Sequence, residues 1–357
     1  MVRLSLVALL ICCSSAYGQR FGGIEIGAKG VKWVAIDLEL GDLRNPVTIV
    51  ASGDENTTLS ALGGASFHPG ALRATIQTVG DFYHHLHEAL HVPDDQIFIV
   101  VSSGLPKAEN LQALKDGIAE FTRHAVDVLS VEEEVRLGIC GLCIQEQDRL
   151  GDALVIDVGS GNTKGGYLVP AAFKKREAIT TFELPGTVTL TTAVQSIAAD
   201  RHVDFCQASL EARHSVLEPS ISHQLQRHED LESRRLVYMN GGVVWALATF
   251  LHPEMLEYAN VPLRLDELHQ IRETLRSANG EYPPVDASLL SAAVTEEISR
   301  AKQVFTPENL MAGSEILCAL GENLSFEDRA VYFVRNGRVA WLLGYVSAKG
   351  RESQVIR

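Results

Sequence analysis

Two short segments hold the residues best able to do chemistry. Ile156-Asp157-Val158-Gly159-Ser160-Gly161-Asn162-Thr163-Lys164 places a carboxylate near the end of an apolar run, then glycines and small polar residues. Ile24-Glu25-Ile26-Gly27-Ala28-Lys29-Gly30-Val31-Lys32 repeats the order: apolar, acid, apolar, Gly, small, any residue, small turn-former, β-branched, Lys. A glycine turn between strands can aim several backbone N–H groups at one point, a nest that holds phosphate without side-chain charge. A carboxylate on the strand before it can hold Mg²⁺ directly or through water, and the metal then touches the same phosphate. Two such turns facing each other would grip a phosphate chain from both sides. The plain alternative is a pair of ordinary hairpin turns with polar tips.

A third constellation is Ser130-Val131-Glu132-Glu133-Glu134-Val135-Arg136-Leu137. Ser130 and Glu133 form an S-x-x-E capping box that starts a helix, which gives Glu133 a structural task. Glu134 lies one residue, about 100°, further round and is free to face elsewhere, in the first turn where the helix dipole favours negative charge. Glu132 reads as solvated.

The elements that must position these groups follow from periodicity. Residues 21–52 read as three strands, and residues 71–91 as an amphipathic helix with Leu72, Ile76, Val79, Tyr83, Leu86 and Leu90 on one face. A buried strand over 96–103, a helix over 108–121, a short strand over 126–129 and the helix from Ser130 follow. The strand ALVIDV leads into the second glycine turn, with another strand behind it. From about residue 187 the pattern is mostly helical, broken by a strand over 236–239. YFVRNGRVAWLLGYV reads as a hairpin with Asn336-Gly337 as its turn. The acid–glycine segment recurs after about 130 residues, one domain's length, which suggests two related domains whose turns face a shared cleft.

Composition narrows the classes. The chain has 357 residues, 46% of them hydrophobic, enough for two domains with real cores. Residues 1–18 read as a secretory signal peptide: Arg3, then an apolar core, then Ala16-Tyr17-Gly18, with cleavage before Gln19. The expected location is secreted or periplasmic. No later apolar run approaches membrane-spanning length. The net charge of −14 becomes more negative once Arg3 leaves, which argues against duplex nucleic acid as a partner. Any polyanion site must then be a local positive pocket. Composition leaves a homodimer as open as a monomer. Cys140 and Cys143 have redox-like spacing but sit in a helical pattern, so a structural pair is the favoured reading. His84, His87 and His91 read as a solvated edge rather than a metal site. Trp245 reads as core, and the Asn56-Thr-Thr and Asn323-Leu-Ser sequons count only in a eukaryotic secretory route.

Taken in order, the motifs resemble those of the exopolyphosphatase and guanosine pentaphosphate phosphohydrolase (Ppx/GppA) family, within the actin-like ATPase superfold. IEIGAKG stands where that family has D-x-G-S-N-S, and residues 101–110 resemble its A-T-S-A-x-R-x-A-x-N segment. Residues 130–137 match S-G-E-E-E-A-R-L, residues 157–164 match D-I-G-G-G-S-T-E, and residues 241–248 are similar to G-G-T-x-x-A-L-A. The resemblance implies an α/β fold of two actin-like (ribonuclease H-like) domains flanking a cleft, the second more helical. The expected divisions are residues 19–150, 151–345 and a tail over 346–357.

It also implies a reaction: water attacks the terminal phosphorus of polyphosphate or a related phosphoanhydride, with Glu134 as general base. Gly27, Ala28, Lys29 and Gly30, with Gly159, Ser160, Gly161, Asn162 and Thr163, would bind phosphate oxygens. Asp157, and less securely Glu25, would hold Mg²⁺. The departures are specific. Glu25 replaces Asp, Ala28 and Gly30 replace two hydroxyl residues, and Lys29 replaces Asn with a charge that could compensate. Lys164 replaces the closing Glu, and Lys107 stands where Arg is usual. They leave room for a second class of function, a member that binds nucleotide or polyphosphate without turnover.

Overall fold

Each acid–glycine segment folds as the turn of an antiparallel hairpin at the edge of a parallel core, and the same arrangement occurs twice. The structure is a computed structural model that describes residues 18–39, 47–59, 66–105, 108–145, 153–169, 178–278 and 280–355. Most of the expected signal peptide, the expected interdomain junction and Lys107 lie outside the described residues. So does the Cys143 side chain, and with it the expected cysteine pair.

The first sheet comprises β1 (Gln19–Ile26), β2 (Gly30–Leu38), β3 (Val47–Asn56), β4 (Ile97–Val101) and β5 (Val126–Val128), in the order β3-β2-β1-β4-β5. The second comprises β6 (Ala153–Val158), β7 (Asn162–Val169), β8 (Ala178–Pro185), β9 (Leu236–Asn240), β10 (Asn260–Pro262) and β11 (Ala330–Val334), in the order β10-β11-β9-β6-β7-β8. In both sheets the hairpin strands are antiparallel and the next crossover strand pairs in parallel, β1 with β4 and β6 with β9. Apart from the added β10, the second sheet repeats the first strand for strand. The equivalent cross-strand pairs are Glu25 with Lys32 and Asp157 with Lys164.

Helices α1 (Pro69–His84), α2 (Leu111–Thr122) and α3 (Val131–Gln145) serve the first domain. The second carries α4 (Thr187–Arg201), α5 (Phe205–Ala212), α6 (Glu218–Leu225), α7 (Gly242–Leu251), α8 (Leu265–Ser277), α9 (Ala292–Val304) and α10 (Pro307–Asn323). The chain closes with α11 (Ala340–Val355). No described helix is long and apolar enough to cross a membrane.

Strand alternation explains the layers. On β2, Val31, Trp33 and Ala35 join one core with α1 and α2, while Val34, Ile36 and Leu38 join another with Trp341, Leu342 and Val346 of α11. Both faces are covered, so the strand reads as a nearly continuous apolar run. The same alternation sets the acids. Ile24 and Ile26 take the helical face and Leu154, Ile156 and Val158 the second domain's core. Glu25 and Asp157 therefore point the other way, into the seam where α3 and α11 lie.

The C-terminal hairpin expectation fails. Only Ala330–Val334 is a strand; Arg335–Val339 is a 3₁₀ turn, and the apolar AWLLGYV run is the first half of α11. A segment apolar on all sides suits a helix wedged between two layers as well as it suits a strand. This helix packs on α3 and on β1 and β2 of the first domain.

Candidate functional site

Both glycine turns are anchored through carbonyls on neighbouring structure, three in the second turn and one in the first. In the second, Gly159 O accepts from Thr187 N at 3.0 Å, Ser160 O from Val188 N at 2.9 Å, and Gly161 O from the Thr189 hydroxyl at 2.6 Å. All three donors belong to the first turn of α4. A trans peptide points its N–H opposite to its C=O, so the Ser160 and Gly161 amides are turned away from α4. In the first turn, Lys29 O is held by Thr57 N and Thr58 N at 3.0 and 2.9 Å. The Ala28, Lys29, Ser160 and Gly161 amides donate to no backbone acceptor among the described residues. Gly27, Ala28, Lys29, Gly30, Gly159, Ser160, Gly161 and Asn162 line one cleft cavity of about 370 Å³, with Glu25 and Asp157.

A third anion-seeking element joins them. α7 opens at Gly241 and Gly242 on the same cavity with no side chain capping it. Its uncapped amides and the positive end of its dipole favour an anion there. Gly241 has φ +111°, and a Cβ on it would lie 2.2 Å from Val158 O, so only glycine lets α7 start this close to β6.

Three expected phosphate ligands have their side chains committed elsewhere. Thr163 is fully buried and its hydroxyl donates to Pro185 O at 3.0 Å, because alternation along β7 turns it from the cleft. Asn162 lines the cavity, but its amide donates to Glu183 at 2.9 Å. Lys29 crosses the cleft, donating to Val304 O at 2.8 Å and Asn309 Oδ1 at 2.9 Å above the Phe305 ring. Burial pulls its ammonium down to about 8. Its charge ties the domains together rather than facing the turn.

Glu134 sits behind the cavity. The capping box forms as expected, with Ser130 N and Oγ donating to Glu133 at 2.9 and 2.8 Å and Glu133 N donating back at 3.2 Å. This fixes the start of α3 and aims Glu134 into the seam, where it is 1% exposed. Its carboxylate accepts from Ser103 N at 2.8 Å and the Ser102 hydroxyl at 3.2 Å, and pairs with Lys164 Nζ at 2.5 Å. Lys164 also lies 3.2 Å from Asp157 and lines the cleft, so it stands between Glu134 and the cavity. Burial alone would depress Lys164, but Glu134 and Asp157 more than reverse this and hold it above the ordinary lysine range. A small cavity of about 20 Å³ adjoins this triad, and on its wall lies Asn240 Oδ1, buried and without a hydrogen-bond partner among the described residues. That is room for one water.

Glu25 is pushed up to about 7, chiefly by burial; Lys32 opposes this, while Glu134 and Asp157 add to it. Lys32 Nζ stands 3.3 Å from both Glu25 oxygens. Each acid expected to hold Mg²⁺ thus already faces an ammonium group. Among the described residues no three Asp, Glu, His or Cys side chains are grouped to hold a metal. A divalent cation here would meet like charge at contact distance, and the residues as placed do not fit a directly held Mg²⁺.

The rim holds residues the motifs had not marked. Asp54 on β3 is bridged by Arg300 at 2.7 Å and by Arg338, joining the domains across the mouth. Trp245 is half-buried rather than core: it lines the cavity, donates to Glu297 at 2.6 Å, and lies under Arg300. Lys32 could have been found, since it matches Lys164 in the repeat. Arg300 and Arg338 carry no sequence signal. His84 and His87 bond locally, to Glu88 and Val92 O.

No protein-family model matches the sequence, and no curated protein matches it. Among solved structures the chain is similar to a Ppx/GppA family member from Aquifex aeolicus, at 16% identity and TM-score 0.58, over 93% of this chain and 98% of that one. It is also similar to an exopolyphosphatase-like protein at 16% identity and TM-score 0.69, over 95% and 99%. An exopolyphosphatase from Cytophaga hutchinsonii matches at 14% identity and TM-score 0.56, over 91% and 98%. What is shared is the fold: two actin-like domains, arranged as in the Ppx/GppA structures, around one cleft.

Proposed function

We propose that this chain is a phosphohydrolase that binds polyphosphate or a related phosphoanhydride in the cleft and removes its terminal phosphate. The observation that carries the reading is that both outward-anchored turns line one cavity with the start of α7. Such a cavity suits a chain of phosphates, each oxygen meeting preformed donors that need no reorganisation. The similar structures include an exopolyphosphatase and a Ppx/GppA family member, which supports the same substrate class. Positioning and charge stabilisation supply most of the rate in phosphoryl transfer. Glu134 is the base available to take a proton from the attacking water, once Lys164 turns from it to a phosphate oxygen.

The Lys164–Glu134 pair also favours a second reading, binding without turnover, because a base held by an ammonium group accepts no proton. Release of phosphate from long-chain polyphosphate by the purified chain, with and without Mg²⁺, separates the two. Hydrolysis that falls about 10²- to 10⁴-fold in Glu134→Gln supports the first. Tight binding with no release under either condition supports the second.

The reading includes export. The sequence of residues 1–18 supports it, and β1 begins at Gln19, so cleavage after Gly18 would leave the first strand whole. Mass spectrometry of the processed protein should give Gln19 as the first residue, and an intact Met1 on soluble protein inside the cell would end the claim.

A further inference from the structure

We infer that Lys32 and Lys164 are the fixed counter-charges of this cleft and that phosphate binding here needs no divalent metal. This rests on the cleft being the phosphate site proposed above. Residues directly opposite in an antiparallel pair share a face with their Cβ atoms about 5 Å apart. The fold itself therefore delivers each lysine to its acid, Lys32 to Glu25 and Lys164 to Asp157, in the same register in both domains. The duplication argues against an accident of one hairpin.

Both lysines line the cavity with the two turns. Lys164 Nζ contacts Glu134 and Asp157, and Lys32 Nζ contacts both oxygens of Glu25. An ammonium group has three donors, so each keeps one for a phosphate oxygen entering from the cavity. In other phosphoryl-transfer sites bound cations bridge phosphate oxygens and neutralise them. Here that position is taken by ammonium groups of the chain. A phosphate arriving from the cavity also offers Lys164 an alternative to Glu134, the exchange that would uncover the base.

The test is calorimetric titration of inorganic tripolyphosphate into the full chain, once in excess EDTA and once with Mg²⁺. The two dissociation constants should agree within about threefold, where a site built around the metal would lose its binding in EDTA. Lys32→Gln should weaken binding in EDTA by about tenfold or more, the effect of losing one charge-assisted hydrogen bond. Lys164→Gln should weaken it similarly, and Lys164→Arg, which keeps the charge, should restore much of it. Lys164→Gln leaves Glu134 buried without its ammonium, so thermal unfolding is followed alongside; Lys32 is partly exposed and carries the test if the Lys164 variants fail to fold. Binding that appears only with Mg²⁺, or a Lys32→Gln chain that binds in EDTA like the wild type, overturns the inference while leaving the phosphate reading intact. Tripolyphosphate that binds in neither buffer removes the phosphate reading first and the inference with it.

Discussion

A carboxylate buried as deeply as Glu134 persists only with partners, and it has three: Lys164, the Ser102 hydroxyl and the Ser103 amide. Removing one member of a buried ion pair strands the other, at a cost of about 3–5 kcal/mol. Lys164 would keep Asp157, so Glu134→Gln should destabilise the chain by about 3 kcal/mol in urea unfolding, beyond any effect on rate. A variant as stable as the wild type would mean that the pair contributes little. Glu25 gives the second residue-scale test. Its folded pKa is about 7 against an ordinary 4.5, so between those values the native chain binds a proton the unfolded chain has lost. Its contribution is complete below 4.5 and shrinks towards 7, with a slope of up to about 1.4 kcal/mol per pH unit. Glu25→Gln removes that slope. The variant should gain melting temperature relative to the wild type between pH 5 and pH 8, and parallel curves would contradict the assignment. That Glu25 and Asp157 would lie together at the cleft was legible from type and spacing. That each would face a lysine was half-legible, in the repeated final Lys. The commitment of Thr163 was not, because which face of a strand meets a cleft depends on what packs behind it.

At the scale of elements, α3 and α11 carry the seam. They cross closely at two glycines: a Cβ on Gly141 would lie 1.7 Å from Ala340 O, and one on Gly344 would lie 2.1 Å from Leu137 O. Gly344→Ala must push the helices apart, and overpacking of this kind costs about 1–3 kcal/mol. The shift would also move the first turn of α3, so binding of tripolyphosphate should weaken with stability; a neutral substitution would show that the contact yields freely. Elements with a clear period or cap, such as β1, β2, α1 and α3, could be read from sequence. The capping box fixed the start of α3 to the residue. α11 could not be read, since an all-round apolar run has no period and Asn336-Gly337 imitates a hairpin turn. β8, of eight residues, and β10, of three, are edge strands recruited by tertiary pairing.

For the whole molecule, the cleft is already strapped across its mouth. Asp54 reaches Arg300 and Arg338, and Lys29 reaches Val304 O and Asn309. Burial would raise Asp54, yet Arg338 and Arg300 hold it below the usual carboxylate range, so the strap is charged at neutral pH. The wild-type radius of gyration should therefore change little when tripolyphosphate binds. Asp54→Asn should open the free protein and close again with ligand, and small-angle scattering reads both; a variant as compact as the wild type would assign closure to other contacts. The duplicated hairpin made two domains and a shared cleft legible from sequence. The straps were not, because they join residues on β3, α9 and the turn before α11 that only the fold brings together.

The central claim is that the two turns hold one phosphate chain between them. Amide shifts from a ¹⁵N-labelled chain titrated with tripolyphosphate test it most directly. The account expects the Ala28, Lys29, Ser160 and Gly161 amides to move together and saturate at the stoichiometry found by calorimetry, because these four N–H groups donate to no backbone acceptor among the described residues and are left for the ligand. A ligand that binds by calorimetry while both turns keep their shifts would contradict it.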